Sequence, residues 1–134
     1  VKRNLFYSLH FIFWIFYSQV IFSYEITGSK WLSGSTTFYV QIPGASSSGP
    51  SWNDVFKSAL NEWTQKTIFD FKFLEEYRDP CIKDGLNGVA FAPDMCGDSF
   101  GQSALAVTAL RYQSQLLGPA AIIEADIFIN GNVK

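Results

Sequence analysis

The chain has 134 residues, room for one small domain, with 10 Lys/Arg against 12 Asp/Glu and a net charge of −2. An acidic chain without a basic cluster argues against nucleic acid as partner, because binding a phosphate backbone needs a cationic surface.

In chain order, Lys2 and Arg3 make a positive start. Residues 5–21 form an aromatic-rich apolar run broken only by Ser8, His10, Ser18 and Gln19, and Ser23 supplies a small residue before Tyr24. Positive, apolar, small is the order of a secretory signal peptide. The expectation is a cleaved leader at residues 1–23 and a domain at residues 24–134, secreted to the extracellular space or the periplasm. The run is also near the length that spans a bilayer, so a retained N-terminal anchor is the alternative. Only in that case is a membrane a partner. Cleavage removes two positive charges and the only histidine, His10, so the net charge moves from −2 to −4.

Residues 24–35 are a polar lead-in carrying Trp31. Residues 36–43 then alternate, with Phe38, Val40 and Ile42 on one side and Thr37, Tyr39 and Gln41 on the other. That period of two predicts a strand, stopped by Pro43. A Gly/Ser-rich loop leads to Ser51, which stands three before Asp54 in the pattern that caps a helix start. Trp52, Val55, Phe56, Ala59, Leu60 and Trp63 follow at spacings of three and four, opposite Asn53, Lys57, Asn61, Glu62 and Lys66. This is an amphipathic helix whose aromatic stripe belongs to a core.

Phe69, Phe71 and Phe73 alternate with Asp70 and Lys72 in a second strand over residues 68–76. Strand, helix, strand over this distance predicts a βαβ unit with parallel strands and a right-handed crossover. Residues 88–93 read as a short buried strand, and residues 94–101 as a turn. Two further strands, at 104–110 and 121–130, are joined by residues 111–119. The inventory is α/β (or α+β): five strands and one long helix.

Chemistry is sparse. Neither a phosphate-binding loop nor a dinucleotide glycine signature occurs. Segment 24–134 lacks histidine, so it holds no Ser–His–Asp site and no zinc cluster. Cys81 and Cys96 are 15 apart. Behind a leader, an even count predicts a disulfide, and a loop of this size gains about 3 kcal/mol by chain entropy. Two free buried thiols, or a metal pair that nothing completes, are the alternatives. Glu75 and Glu76 point to opposite faces and read as a solvated strand end. Asp94 and Asp98 flank Cys96 and make calcium a further candidate, although two ligands are too few for an oxygen site. Glu124 and Asp126 share one side of the last strand. Either that side is exposed, or the pair meets a loop or metal supplied by sequence outside this chain.

The stretches WLSGSTTFYV, WNDVFKSALNEW, FDFKF, CGDSFGQSALAVT and IIEADIFIN, taken together, resemble the start of a matrixin-like domain. Matrixins are secreted zinc peptidases of the metzincin class, and the bacterial-type branch is the closer likeness. The resemblance spans residues 31–131. It implies a zincin-like N-terminal subdomain with a twisted five-stranded sheet, four strands parallel and the fourth in sequence an antiparallel edge. That edge forms the upper rim of a cleft on which a peptide or protein substrate lies as a further strand. The residues matching this rim are Leu105, Ala106 and Val107. Animal-type matrixins place histidines of a structural zinc on the fourth and fifth strands. The matching positions here are Val107 and Ile127, so that zinc is not expected.

The resemblance further implies a helix with His-Glu-x-x-His after the fifth strand, a third histidine, and a methionine turn. None lies within the 134 residues, and Met95 precedes the fifth strand. The expectation is therefore the N-terminal part of a truncated zinc metalloendopeptidase domain, whose zinc ligands and general base lie after Lys134. One helix covers one side of a sheet, yet Ile123, Ala125, Ile127 and Ile129 lie on one side of the last strand and Ile122 and Phe128 on the other. More chain is expected to pack there. The alternative is a complete small binding domain that captures extended peptides at a sheet edge without a metal. An inactive peptidase relative is a third reading.

Overall fold

The computed structural model describes residues 28–47 and 49–132. The leader or anchor expected at residues 1–23 lies outside them. The chain folds as β1 (Lys30–Trp31), β2 (Ser35–Val40), α1 (Trp52–Lys66), β3 (Asp70–Leu74), β4 (Asn87–Ala92), β5 (Ala106–Gln113) and β6 (Ala121–Asn130). Among the described residues this is an α/β arrangement of one helix and one mostly parallel six-stranded sheet. Strands β3, β2, β4 and β6 lie side by side in parallel. β5 runs antiparallel against the far edge of β6. The five strands expected from the sequence are all present, and β6 has the predicted bounds. The sixth is β1, which pairs Lys30 with Ala121 and Trp31 with Ile122. Two residues carry no periodicity, so only tertiary pairing creates this strand.

The helix begins as its cap predicts. The Ser51 hydroxyl accepts from the Asp54 N–H at 3.1 Å and donates to the Asp54 carboxylate at 2.6 Å. Asn53 ties the helix start to both neighbouring strands. Its carbonyl accepts from Ile42 N–H at 2.8 Å, and its amide donates to Glu75 at 2.9 Å. At the other end the Thr64 hydroxyl accepts from Phe71 N–H at 2.9 Å.

Register puts Phe38, Phe73, Val89 and Ile127 on the same side of the sheet. This is the helix side. Phe38, Val40, Ile42, Leu60, Val89 and Ala125 form the buried core there. Phe38 meets Phe56 edge-on at 6.1 Å, which suits the ring quadrupoles as well as the burial.

The back of the sheet departs from expectation. It is not left for missing sequence: residues 75–86 of this chain cross it. Pro80 is buried, and the Arg78 guanidinium stacks over the Tyr39 ring at 5.2 Å. The backbone approaches so closely that a Cβ on Gly88 would sit 2.6 Å from the Arg78 carbonyl oxygen. The expected disulfide forms. Cys81 and Cys96, with Cα atoms 5.5 Å apart, tie this segment to the turn after β4. The surface left open is on the helix side instead, over β5 and β6. There Leu105, Leu110 and Ile123 are exposed. The reason is placement: α1 packs most closely toward the β3 edge of the sheet.

Candidate functional site

Among the described residues, β5 has β6 as its one partner, so its other edge is unpaired. The strand begins later than the sequence pattern indicates. Leu105 precedes the strand, and its carbonyl accepts from Asn130 N–H at 2.9 Å. The Asn130 side chain takes the Ala104 carbonyl at the same distance. Both carbonyls thus face inward, toward β6. In an antiparallel ladder the hydrogen-bonding direction alternates residue by residue. Ala106 stands opposite Ile129, Val107 opposite Phe128, Thr108 opposite Ile127 and Ala109 opposite Asp126. Val107 and Ala109 therefore bond to β6, whereas Ala106, Thr108 and Leu110 turn N–H and C=O to the open edge. Of Leu105, Ala106 and Val107, the three residues assigned to the rim, Ala106 presents its backbone outward. Leu105 contributes an exposed side chain, and Val107 is half-buried on the back of the sheet.

Beside the start of β5, on the helix side, lies an open apolar cavity of about 450 Å³. Trp52 and Val55 of α1 form one wall, Phe91 and Ile129 the floor, and Leu105 and Asn130 the end nearest β5. Trp52 and Phe91 meet edge-on at 5.9 Å. The helix wall exists because Trp52 and Val55 sit at the N-terminal end of the apolar stripe, past the part covered by β2 and β3.

Behind the edge, on the other side of the sheet, Glu124 and Asp126 are buried, each 1% exposed. This overturns the exposed reading of the pair. The partners come from this chain rather than from outside it. Arg111, opposite Glu124 on β5, pairs with the Glu124 carboxylate through Nε and lies 3.9 Å from Asp126 Oδ2. The crossing segment adds backbone donors: Gly85 N–H to Glu124 at 2.6 Å, and Gly88 N–H to Asp126 Oδ1 at 2.9 Å. Burial pushes the Asp126 carboxyl up to about 7, helped by the neighbouring Glu124 and opposed by Gly88 and Arg111. Burial also raises Glu124, but the neighbouring Asp126 carboxyl and the hydrogen bonds from Gly85 and Arg111 outweigh it and leave the carboxyl below its ordinary value. The pair shares one cation, so the group with more donors holds the charge.

Sequence reasoning missed Arg111, which it placed in a connecting loop. β5 runs three residues further than its alternation, past a bulge between Arg111 and Tyr112. Opposite charges facing each other across a hairpin were the available signal. It also missed Asn87, whose side chain donates to Thr36 and Thr37 and accepts from Ala125 N–H at 2.7 Å. Asn87 thereby fills the gap along β6 between β1 and β4.

Of the two acidic residues proposed for calcium, Asp94 has a local side-chain partner, and Asp98 is bonded through its backbone. Asp94 accepts from Gly97 N–H at 2.8 Å, and Met95 and Asp98 close the turn around Cys96. Among the described residues, no three His, Cys, Asp or Glu side chains are grouped to hold a metal ion. No helix among them is long and apolar enough to cross a membrane. The disulfide is compatible with an extracellular location. Comparison with family models, curated proteins and solved structures found no match.

Proposed function

We propose that this chain captures extended peptides along the open edge of β5, as the substrate rim of a matrixin-like secreted zinc metalloendopeptidase whose zinc helix is carried by sequence after Lys134. One observation carries the reading: an otherwise parallel sheet ends in an antiparallel strand whose Ala106, Thr108 and Leu110 backbones face outward. Such an edge bonds the main chain of any extended peptide, whatever its side chains. The small side chain of Ala106 lets a peptide approach, and the apolar cavity beside Leu105 offers burial to one of its residues. The resemblance of residues 31–131 to the start of a matrixin domain, and the edge position of the fourth long strand, support the peptidase assignment. Secretion rests on the leader-like residues 1–23 and on the disulfide.

The described residues do not fit a zinc site, since they group no three ligands. They account for binding, and zinc with its general base belongs to the proposed downstream helix. A free-standing peptide-binding domain is the second reading, favoured by an edge and cavity that need no metal. Reading the coding frame past Lys134 separates the two: His-Glu-x-x-His favours the peptidase, and a stop codon favours the binding domain.

The binding itself is tested by titrating the chain with extended peptides while following backbone amide shifts. The expected outcome is that Ala106, Thr108 and Leu110 respond first. Thr108→Pro removes one outward N–H and spares the inward-facing pairs. It is expected to weaken binding by about 2- to 10-fold, the net value of one hydrogen bond. Unchanged affinity, or shifts clustered away from β5, would sink the proposal.

A further inference from the structure

We propose that Arg111, Glu124 and Asp126 form a pH-dependent latch that seats the disulfide-tied segment of residues 78–86 on the back of the sheet, closed at acidic pH and released as pH rises toward neutrality. The geometry sets one guanidinium against two carboxyl groups that are both buried. Glu124 takes the close contact with Arg111. Asp126 is left with Arg111 at 3.9 Å, and its Oδ2 is buried without a hydrogen-bond partner. With both carboxyls ionised, one buried negative charge stays uncompensated, which is costly. A proton on Asp126 Oδ2 removes that charge and supplies a donor toward Glu124.

Seating of the segment and this proton are coupled, because the segment's own N–H groups are the other ligands of the pair. Gly85 donates to Glu124, and Gly88, where the segment rejoins β4, donates to Asp126. The carboxyls lie buried beneath a segment whose backbone approaches the sheet most closely at Arg78 and Gly88. Other charged groups of the segment are engaged elsewhere or exposed. Arg78 pairs with Glu76 at 2.5 Å and covers Tyr39, Asp79 accepts from Cys81 N–H, and Asp84 accepts from Leu86 N–H. Lys83 is exposed. On β4 the residues on the same side of the sheet as the pair, Gly88 and Ala90, carry no charge, and from β5 the facing charge is Arg111.

The direction follows from linkage. The Asp126 carboxyl titrates near 7 when the segment is seated, against an ordinary value of 3.8. Between those values the seated form holds one more proton than the lifted form. The latch therefore weakens as pH rises through that window, and the dependence ends above it. Glu124 acts oppositely. Its depressed carboxyl contributes stability that is fully present above its ordinary value of 4.5 and is lost as pH falls from there through the lowered value.

The test uses the full chain. Amide hydrogen exchange at Gly85 and Gly88 is followed from about pH 4.5 to 8 and normalised to intrinsic rates. Protection is expected to fall by up to tenfold per pH unit to about pH 7 and then level. Asp126→Asn, which keeps the acceptor for Gly88 and adds a permanent donor toward Glu124, is expected to hold protection flat across the range. A flat wild-type profile, or the wild-type slope in Asp126→Asn, overturns the latch. Should that variant fail to fold, carbon-detected titration of the wild-type Asp126 carboxyl decides. A midpoint near 7 supports the latch, and one near the ordinary aspartate value overturns it.

Discussion

Gly88 shows how a single side chain, or its lack, places a whole segment. Its backbone lies under the Arg78 carbonyl, and an added Cβ would intrude to 2.6 Å of a backbone atom that has nowhere to move. Gly88→Ala is expected to destabilise the fold by about 1–3 kcal/mol, the usual cost of overpacking. Urea unfolding measures it, and wild-type stability would mean that residues 75–86 do not seat on the sheet as described. The residues that matter most at this scale divide by how they signal in sequence. Phe38, Val40 and Leu60 announce themselves by period, and all are buried. Gly88, Asn87 and Arg111 carry no periodic signal. Each acts on a segment distant in sequence, so its role exists only after the strands have paired.

At the scale of elements, α1 was the most legible part, because cap, stripe and length agree. Ser51→Ala removes the acceptor for Asp54 N–H and is expected to cost about 1 kcal/mol of stability, read as a lower urea midpoint. An unchanged midpoint would mean that Asp54 or solvent satisfies the helix start alone. Strand β6 was equally legible from its ten alternating and apolar residues. β5 was less so. Its start was placed at residue 104, but the Ala104 and Leu105 carbonyls are claimed by Asn130, and its end runs through the bulge to Gln113. Alternation marks which side a residue faces, but not which way its N–H and C=O point. That second choice is set by register with β6, and it decides which backbones are free for a peptide.

At the scale of the whole fold, among the described residues one helix and one crossing segment clothe a six-stranded sheet unevenly. The core between α1 and β2–β4 is closed, the back is covered, and the helix side of β5 and β6 is open. Leu105, Leu110 and Ile123 are 68%, 38% and 44% exposed on or beside that surface, next to a cavity of about 450 Å³. Contiguous apolar surface of this kind favours association. The chain is expected to bind a hydrophobic dye and to self-associate at high concentration. A dye-silent, monomeric chain would show that this surface is better covered than described. The sequence by itself determined the α/β class, the βαβ start, the helix and its cap, the disulfide pairing and the position of the last strand. Those features follow from local period, capping chemistry and a cysteine count of two. Only the tertiary structure decided that β5 is an open edge, that Ala106, Thr108 and Leu110 face outward, and that Glu124 and Asp126 are buried against Arg111. Each depends on which strands become neighbours, and that is a property of register and packing rather than of any short stretch of chain.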